Sequence, residues 1–187
     1  MKGLASIGGW LWHSGKPALS TAGEDRAAEP HDAESQFNMG KRFAGEMGSA
    51  QNYVQAVEWY LKAAAQDHSE AQYILGLMYG KGQGVRRDEA TASMWLWKAA
   101  KLGHPGAQYH AGVRQYRVSK SSRLPEASKC RIEALTWLLL AVAQRYKGAA
   151  SAREFVALAM TRDEVNEAER RAVAFRADQT PSATAQV

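Results

Sequence analysis

The chain is poor in the residues that carry most covalent and metal chemistry. Of 187 residues, Cys130 is the single cysteine. No intramolecular disulfide can form, and a cysteine-based zinc site is nearly excluded. Prolines number five, too few for an extended proline-rich linker. No apolar run reaches the roughly 18 to 20 residues needed to cross a bilayer. The longest, Leu135 to Ala143, is about half that length and reads as a buried helix. Phosphate-binding loops are missing too. Gly80-Lys81-Gly82-Gln83-Gly84 lacks the P-loop spacing and its terminal Lys-Ser/Thr, and no strand precedes it. There is no nucleophile elbow, and the carboxylates Asp88 and Glu89 sit at a helix start, where the dipole favours them.

Apolar residues make up 45% and charged residues 23%, ordinary values for a folded chain. Lys2, the apolar stretch Gly3 to Trp12 and the small residues up to Ala22 are similar to a secretory signal. Three glycines in the apolar stretch and Lys16 near the expected cleavage region argue instead for a disordered leader over residues 1–32. A leader of that kind implies a cytoplasmic chain; removal of residues 1–22 would imply a secreted or periplasmic one.

What is abundant is repetition. Ser35-Gln36-Phe37-Asn38-Met39-Gly40, Ala71-Gln72-Tyr73-Ile74-Leu75-Gly76 and Ala107-Gln108-Tyr109-His110-Ala111-Gly112 align at steps of 36 residues. Downstream, Ala56, Trp59 and Ala63 match Ala92, Trp95 and Ala99 at the same step, and Ala134, Trp137 and Ala141 at a step of 42. The third copy thus carries six extra residues, expected in its internal loop. Apolar residues recur three and four apart, the helical period. In the second copy the spacing predicts helix A over Ser69–Gly80 and helix B over Asp88–Leu102, with Asp88 as N-cap and Gly103 as the stop. A mid-helix glycine costs about 1 kcal/mol against alanine. Its recurrence at Gly40, Gly76 and Gly112 predicts a close helix crossing there.

The second copy, Ala71-x-Tyr73-x-Leu75-Gly76-x-Met78-Tyr79-x-x-Gly82-x-Gly84-Val85-x-x-Asp88, continued by Ala92, Trp95, Ala99, Ala100 and Gly103, closely resembles the Sel1-like repeat, a relative of the tetratricopeptide repeat. Copy one departs at its loop, Gly45 to Gln51, and has Asn52 where Asp88 stands; copy three has Cys130 there. A further half unit, Ala149 to Ala159, precedes an amphipathic run with Val165, Ala168, Ala172 and Phe175, which Thr161 or Asp163 would cap. The resemblance implies an all-α, right-handed α-α superhelix of about three helix-loop-helix repeats plus C-terminal capping helices over residues 33–177. A disordered tail is expected over 178–187.

The family consists mostly of scaffolds and adaptors, common in bacteria, and its pattern defines no catalytic residue. The resemblance therefore implies a protein-binding scaffold, not an enzyme, with no cofactor or metal. The alternative is a hydrolase that uses the repeats to cradle an envelope polymer, but no convergent titratable groups mark its site. Helix A lines the concave groove in tetratricopeptide relatives, so the groove residues implied here are Phe37, Lys41, Tyr73, Leu77, Tyr109, Val113 and Tyr116. The aromatics at this register are also explained by packing between repeats.

His68 and His104 share a register just past helix B. Equivalent positions lie roughly one helix spacing, about 10 Å, apart. That is too far for one zinc with bonds of about 2 Å. Interaction with the last carbonyls of helix B is the expectation. His110 is read as packing.

Residues 101–147 hold nine basic and two acidic residues, so the chain's net charge of +5 arises there. Arg114, Arg117, Lys120 and Arg123, with Lys129 and Arg131, surround the lengthened loop. A basic patch attracts an acidic protein partner. Nucleic acid is disfavoured because no recognised binding motif accompanies the patch. Self-association through the ends of the array stays open.

Overall fold

The computed structural model describes residues 31–45 and 50–179. The expected leader except its last two residues, most of the loop of the first copy, and the tail from residue 180 lie outside them. The described residues form eight helices and no strand: α1 (Ala33–Gly45), α2 (Ala50–Ala64), α3 (Ser69–Lys81), α4 (Glu89–Lys101), α5 (Pro105–Ser121), α6 (Glu126–Ala143), α7 (Ala149–Ala157) and α8 (Arg162–Gln179). The pairs α1/α2, α3/α4 and α5/α6 are antiparallel hairpins, and each second helix also packs on the first helix of the next unit. The result is an α-α solenoid.

The repeated glycines make each hairpin close. A Cβ on Gly40 would stand 2.6 Å from the Tyr60 ring, on Gly76 2.6 Å from Leu96 Cγ, and on Gly112 2.7 Å from Leu138 Cγ. Tyr60, Leu96 and Leu138 are themselves equivalent residues, so each hairpin seats one large side chain in the notch of one glycine. Around them the alanines Ala56, Ala63, Ala71, Ala99, Ala107, Ala134 and Ala141 are fully buried, which lets the backbones approach.

Helix starts follow local chemistry. Asp88 Oδ1 accepts from the backbone N–H groups of Ala90 (2.9 Å) and Thr91 (3.3 Å), as an N-cap should. At the last helix, Thr161 Oγ1 accepts from Glu164 N–H and Glu164 Oε2 accepts from Thr161 N–H. That reciprocal arrangement is a capping box, and it selects Thr161 over Asp163. α8 then lies along α6, with Thr136 Oγ1 reaching Ala168 O and the Phe175 ring edge-on to Trp137 at 5.5 Å.

The third unit departs from expectation. Its six extra residues do not form a longer loop. They extend α5 to Ser121 and start α6 at Glu126, so the connector is only residues 122–125, against 82–88 in the second unit. Gly82, in the left-handed region at φ +72°, ends α3, whereas no glycine occurs between Gly112 and Gly148. Without that stop signal the helices run on. Cys130, the counterpart of Asp88, lies inside α6 and caps nothing.

Buried glutamines tie the ends of the hairpins. Gln66 Nε2 donates to Gln36 Oε1 and His31 O, both at 2.8 Å. Gln144 Nε2 donates in the same way to Gln108 Oε1 (2.9 Å) and Gly103 O (2.8 Å). In the second unit the equivalent donor is replaced by Leu102, and Gln72 Oε1 is buried without a partner. Leu102→Gln should restore the bond and stabilise the array by about 1 kcal/mol. Thermal unfolding would show it as a rise of roughly 2–4 °C. A fall in melting temperature would mean that Leu102, 42% exposed, contributes more by packing.

Candidate protein-binding surface

The aromatic ladder Phe37, Tyr73 and Tyr109 lies where one unit meets the next. Phe37 stacks on His68 (centroids 4.5 Å apart) and Tyr73 on His104 (4.2 Å). Tyr109 packs against Tyr146 (5.3 Å), which occupies the same register as the two histidines. Phe37 is buried, at 8% exposure, and offers a partner little area. Tyr73 and Tyr109 are half-buried. Burial first, then the Tyr146 hydroxyl and Glu70, push the Tyr73 phenol well above its ordinary value. It is therefore a neutral hydrogen-bonding group.

The backbones of the two histidines meet the last carbonyls of helix B as expected, His68 N–H donating to Ala63 O (3.3 Å) and His104 N–H to Ala99 O (3.0 Å), but their side chains act elsewhere. They are N-caps of the following helix. His68 Nδ1 accepts from Ala71 N–H (3.2 Å) and His104 Nδ1 from Ala107 N–H (3.1 Å). With Nδ1 accepting, the proton is on Nε2, which donates to Glu34 (3.2 Å) and Glu70 (2.8 Å), each on the first helix of the preceding unit. The reason is backbone conformation: both residues are extended, at φ −72°, ψ 104° and φ −64°, ψ 119°, immediately before a helix.

Of the other groove positions, Lys41 is exposed with its ammonium 5.5 Å from the Phe37 ring centroid, and Leu77 is half-buried. Val113 and Tyr116 are half-buried against the core formed by Leu135, Leu138 and Val156, with Tyr116 edge-on to Phe155 on α7. In the third unit, α7 and Tyr146 thus cover much of the stripe.

The basic residues are brought together, on a different element from the one expected. Arg114, Arg117 and Lys120 are on α5, Arg123 is in the connector, and Lys129 is on α6. The basic loop is therefore a helical hairpin tip. Arg131 is withdrawn from it by an ion pair with Glu164 at 2.5 Å. Lys120 lies over the rings of Tyr116 (5.3 Å) and Phe155 (5.7 Å). Arg114, Arg117, Arg123 and Lys129 are exposed and form no ion pair among the described residues.

Beside this tip, α4, α5 and α6 enclose an apolar cleft of about 410 Å³ that includes Met94, Trp97, His110, Arg114, Glu133 and Trp137. Sequence reasoning did not find it. Its signal was the loss of apolar residues at His110, Arg114 and Gln115, which replace Ile74, Met78 and Tyr79 of the second unit. Burial, helped by the nearby His104 and Lys81, lowers the His110 pKa and keeps the ring neutral. Among the described residues, no three His, Cys, Asp or Glu side chains are grouped to hold a metal ion, and no helix is long and apolar enough to cross a membrane.

The Sel1 repeat family model matches residues 33–68 and 69–104, the first two hairpins. No curated protein matches. Among solved structures, the chain is similar to c5321, described as a protective antigen of uropathogenic Escherichia coli strains with an SLR fold. The two are 26% identical with a TM-score of 0.64, over 83% of this chain and 34% of that one. It is also similar to a Sel1 repeat protein from Oxalobacter formigenes, 26% identical with a TM-score of 0.57, over 79% of this chain and 59% of that one. The chain thus spans about a third of the first relative's length and 59% of the second's. Two matched repeats, the same hairpin geometry carried into a third unit, and these structural likenesses make this chain a helical solenoid similar to Sel1 repeat proteins.

Proposed function

We propose that the chain is a scaffold that holds an acidic segment of a protein partner. The observation that carries this reading is the hairpin tip of the third unit, where Arg114, Arg117, Arg123 and Lys129 are exposed with no carboxylate paired to them among the described residues. Elsewhere several surface cations are matched, as in Arg87–Glu89 and Arg170 and Arg171 with Glu167. Unmatched charge of one sign raises the association rate of an oppositely charged partner and selects against like-charged ones. A rigid helical hairpin also presents these side chains at low entropic cost, since its backbone is ordered before binding. The exposed part of the helix A stripe, Lys41 with the edges of Tyr73 and Leu77, would extend the contact along the array.

The test is affinity capture from an extract of the native host, comparing wild type with an Arg117→Glu/Lys120→Glu/Arg123→Glu variant. Exposed substitutions of this kind change stability by about 0.5 kcal/mol or less each. Melting temperature should therefore stay within a few degrees while retained partners fall by at least about tenfold, most sharply at low salt. Equal capture by both proteins at low salt would sink the acidic-partner reading.

A further inference from the structure

The cleft between α4 and α6 is open for a reason that the second unit makes plain. There, the loop after α3 folds back over the preceding unit. A Cβ on Gly84 would lie 2.4 Å from the carbonyl carbon and oxygen of Tyr53 and 2.8 Å from Val54 N, so the loop backbone rests directly on α2. Val85 follows it into the first core, beside Tyr53, and Tyr79 and the buried Met78 fill the space beneath. The chain plugs the gap between α2 and α4 with its own extended segment.

In the third unit the plug is absent. The α4 residues equivalent to Tyr53 and Val54 are Glu89 and Ala90, and Ala90 lines the open cleft. The connector at 122–125 contributes nothing to that lining, because the extended helices carry it away from α4. Met78 and Tyr79 are replaced by Arg114 and Gln115. What remains is a slot with Trp97 (50% exposed) and Met94 (45%) on one wall and Trp137 on the other. Arg114 bonds the neutral Ser93 hydroxyl, so its guanidinium keeps its charge free for a carboxylate. Glu133, on the α6 wall, accepts from the Gln115 amide and repels acidic groups from that side. Arg114 and Arg117 are three residues apart and share a face of α5, which leads from the slot toward Arg123.

We propose that this slot binds an extended segment of a partner protein that carries a bulky apolar residue flanked on one side by acidic residues. The apolar side chain enters between Trp97 and Trp137, a carboxylate meets Arg114, and the acidic run follows Arg117 and Arg123. The segment takes the place that the loop of the second unit fills in its own repeat. This assignment rests on the scaffold reading and adds the site and the recognition rule.

The experiment is selection of a displayed library of random linear twelve-residue peptides on the full chain, followed by affinity measurement on the enriched peptides. Enriched sequences should share a large apolar residue next to two or more Asp or Glu. Trp97→Ala and Arg114→Glu should each weaken binding by at least about tenfold. Arg162→Glu, exposed at the start of α8 and outside the slot's lining, should change it less than about twofold. Met94→Arg, exposed enough to be accommodated, should block the slot and serves if Trp97→Ala disturbs folding by circular dichroism. Enriched peptides without acidic residues, or binding indifferent to Trp97 and Met94, would overturn the assignment. So would a wild-type dimer abolished by Trp97→Ala, which would give the slot to a second copy. No enrichment would overturn it as well. If host proteins were still captured in a charge-dependent way, the scaffold reading would survive that failure; if they were not, both would fall.

Discussion

Glu164→Ala is expected to lower stability by about 3–5 kcal/mol, the loss seen when one member of a buried ion pair is removed. Glu164 is 8% exposed and ties α8 and its first turn to α6. Its Oε1 accepts from Arg131 and Ser128 on α6, while Oε2 accepts from Thr161 N–H and closes the capping box of α8. Truncation leaves the Arg131 guanidinium partly buried without its carboxylate, opens the cap, and loosens α8 from α6. Urea unfolding would measure the loss, and proteolysis within α8 should accelerate. A loss below about 1 kcal/mol would show that the pair only balances its own desolvation.

The same residue sets a pH dependence. Burial pushes the Glu164 carboxyl up, but the hydrogen bonds from Arg131, Ser128 and Thr161 N–H outweigh it and leave the pKa below the ordinary 4.5. A depressed carboxylate contributes stability that is complete above its unfolded-state pKa and is lost as pH falls through the folded value. Wild type should therefore lose stability below about pH 4.5. Glu164→Gln should lose less over that interval, while starting from a lower plateau. Parallel pH profiles for the two would count against this assignment.

Gly84→Ala should cost about 3 kcal/mol, and Gly82→Ala about 1 kcal/mol. Both glycines are in the left-handed region, at φ +70° and +72°, so the conformational penalty is shared. Only Gly84 would drive the added Cβ into backbone at a clashing distance, with Tyr53 O at 2.4 Å, whereas at Gly82 the nearest atoms are Arg87 Cβ at 3.3 Å and Arg87 N at 3.4 Å. The difference between the two variants isolates the close approach of the loop to α2. Comparable losses in urea unfolding would mean that the loop can lift away from α2 at little expense. The slot between α4 and α6 would then owe its openness to something besides the missing loop.

How much of this was legible depended on whether the signal was local. Ser69–Lys81 and Glu89–Lys101 fall within a residue of the predicted bounds because Asp88, Gly82 and Gly103 act on neighbouring backbone. The glycine notches were readable because a residue unfavourable to helices recurred at one register. Misreadings came where a residue acts across units. His68 and His104 follow helix B in the chain, yet each caps the next helix and reaches back to a glutamate on the preceding unit. Phe37 had the spacing of a groove residue and is covered by His68.

The sequence alone determined the repeat, its helical hairpins, its phasing and the location of the excess positive charge, since periodicity, capping chemistry and composition are properties of short stretches of chain. Tertiary structure alone decided which stripe of each helix is exposed and that the insertion of the third unit lengthens helices. It also decided that an apolar slot opens beside the basic tip. Those depend on which backbone comes to rest on which, and in a solenoid that contact is made between units about 36 residues apart.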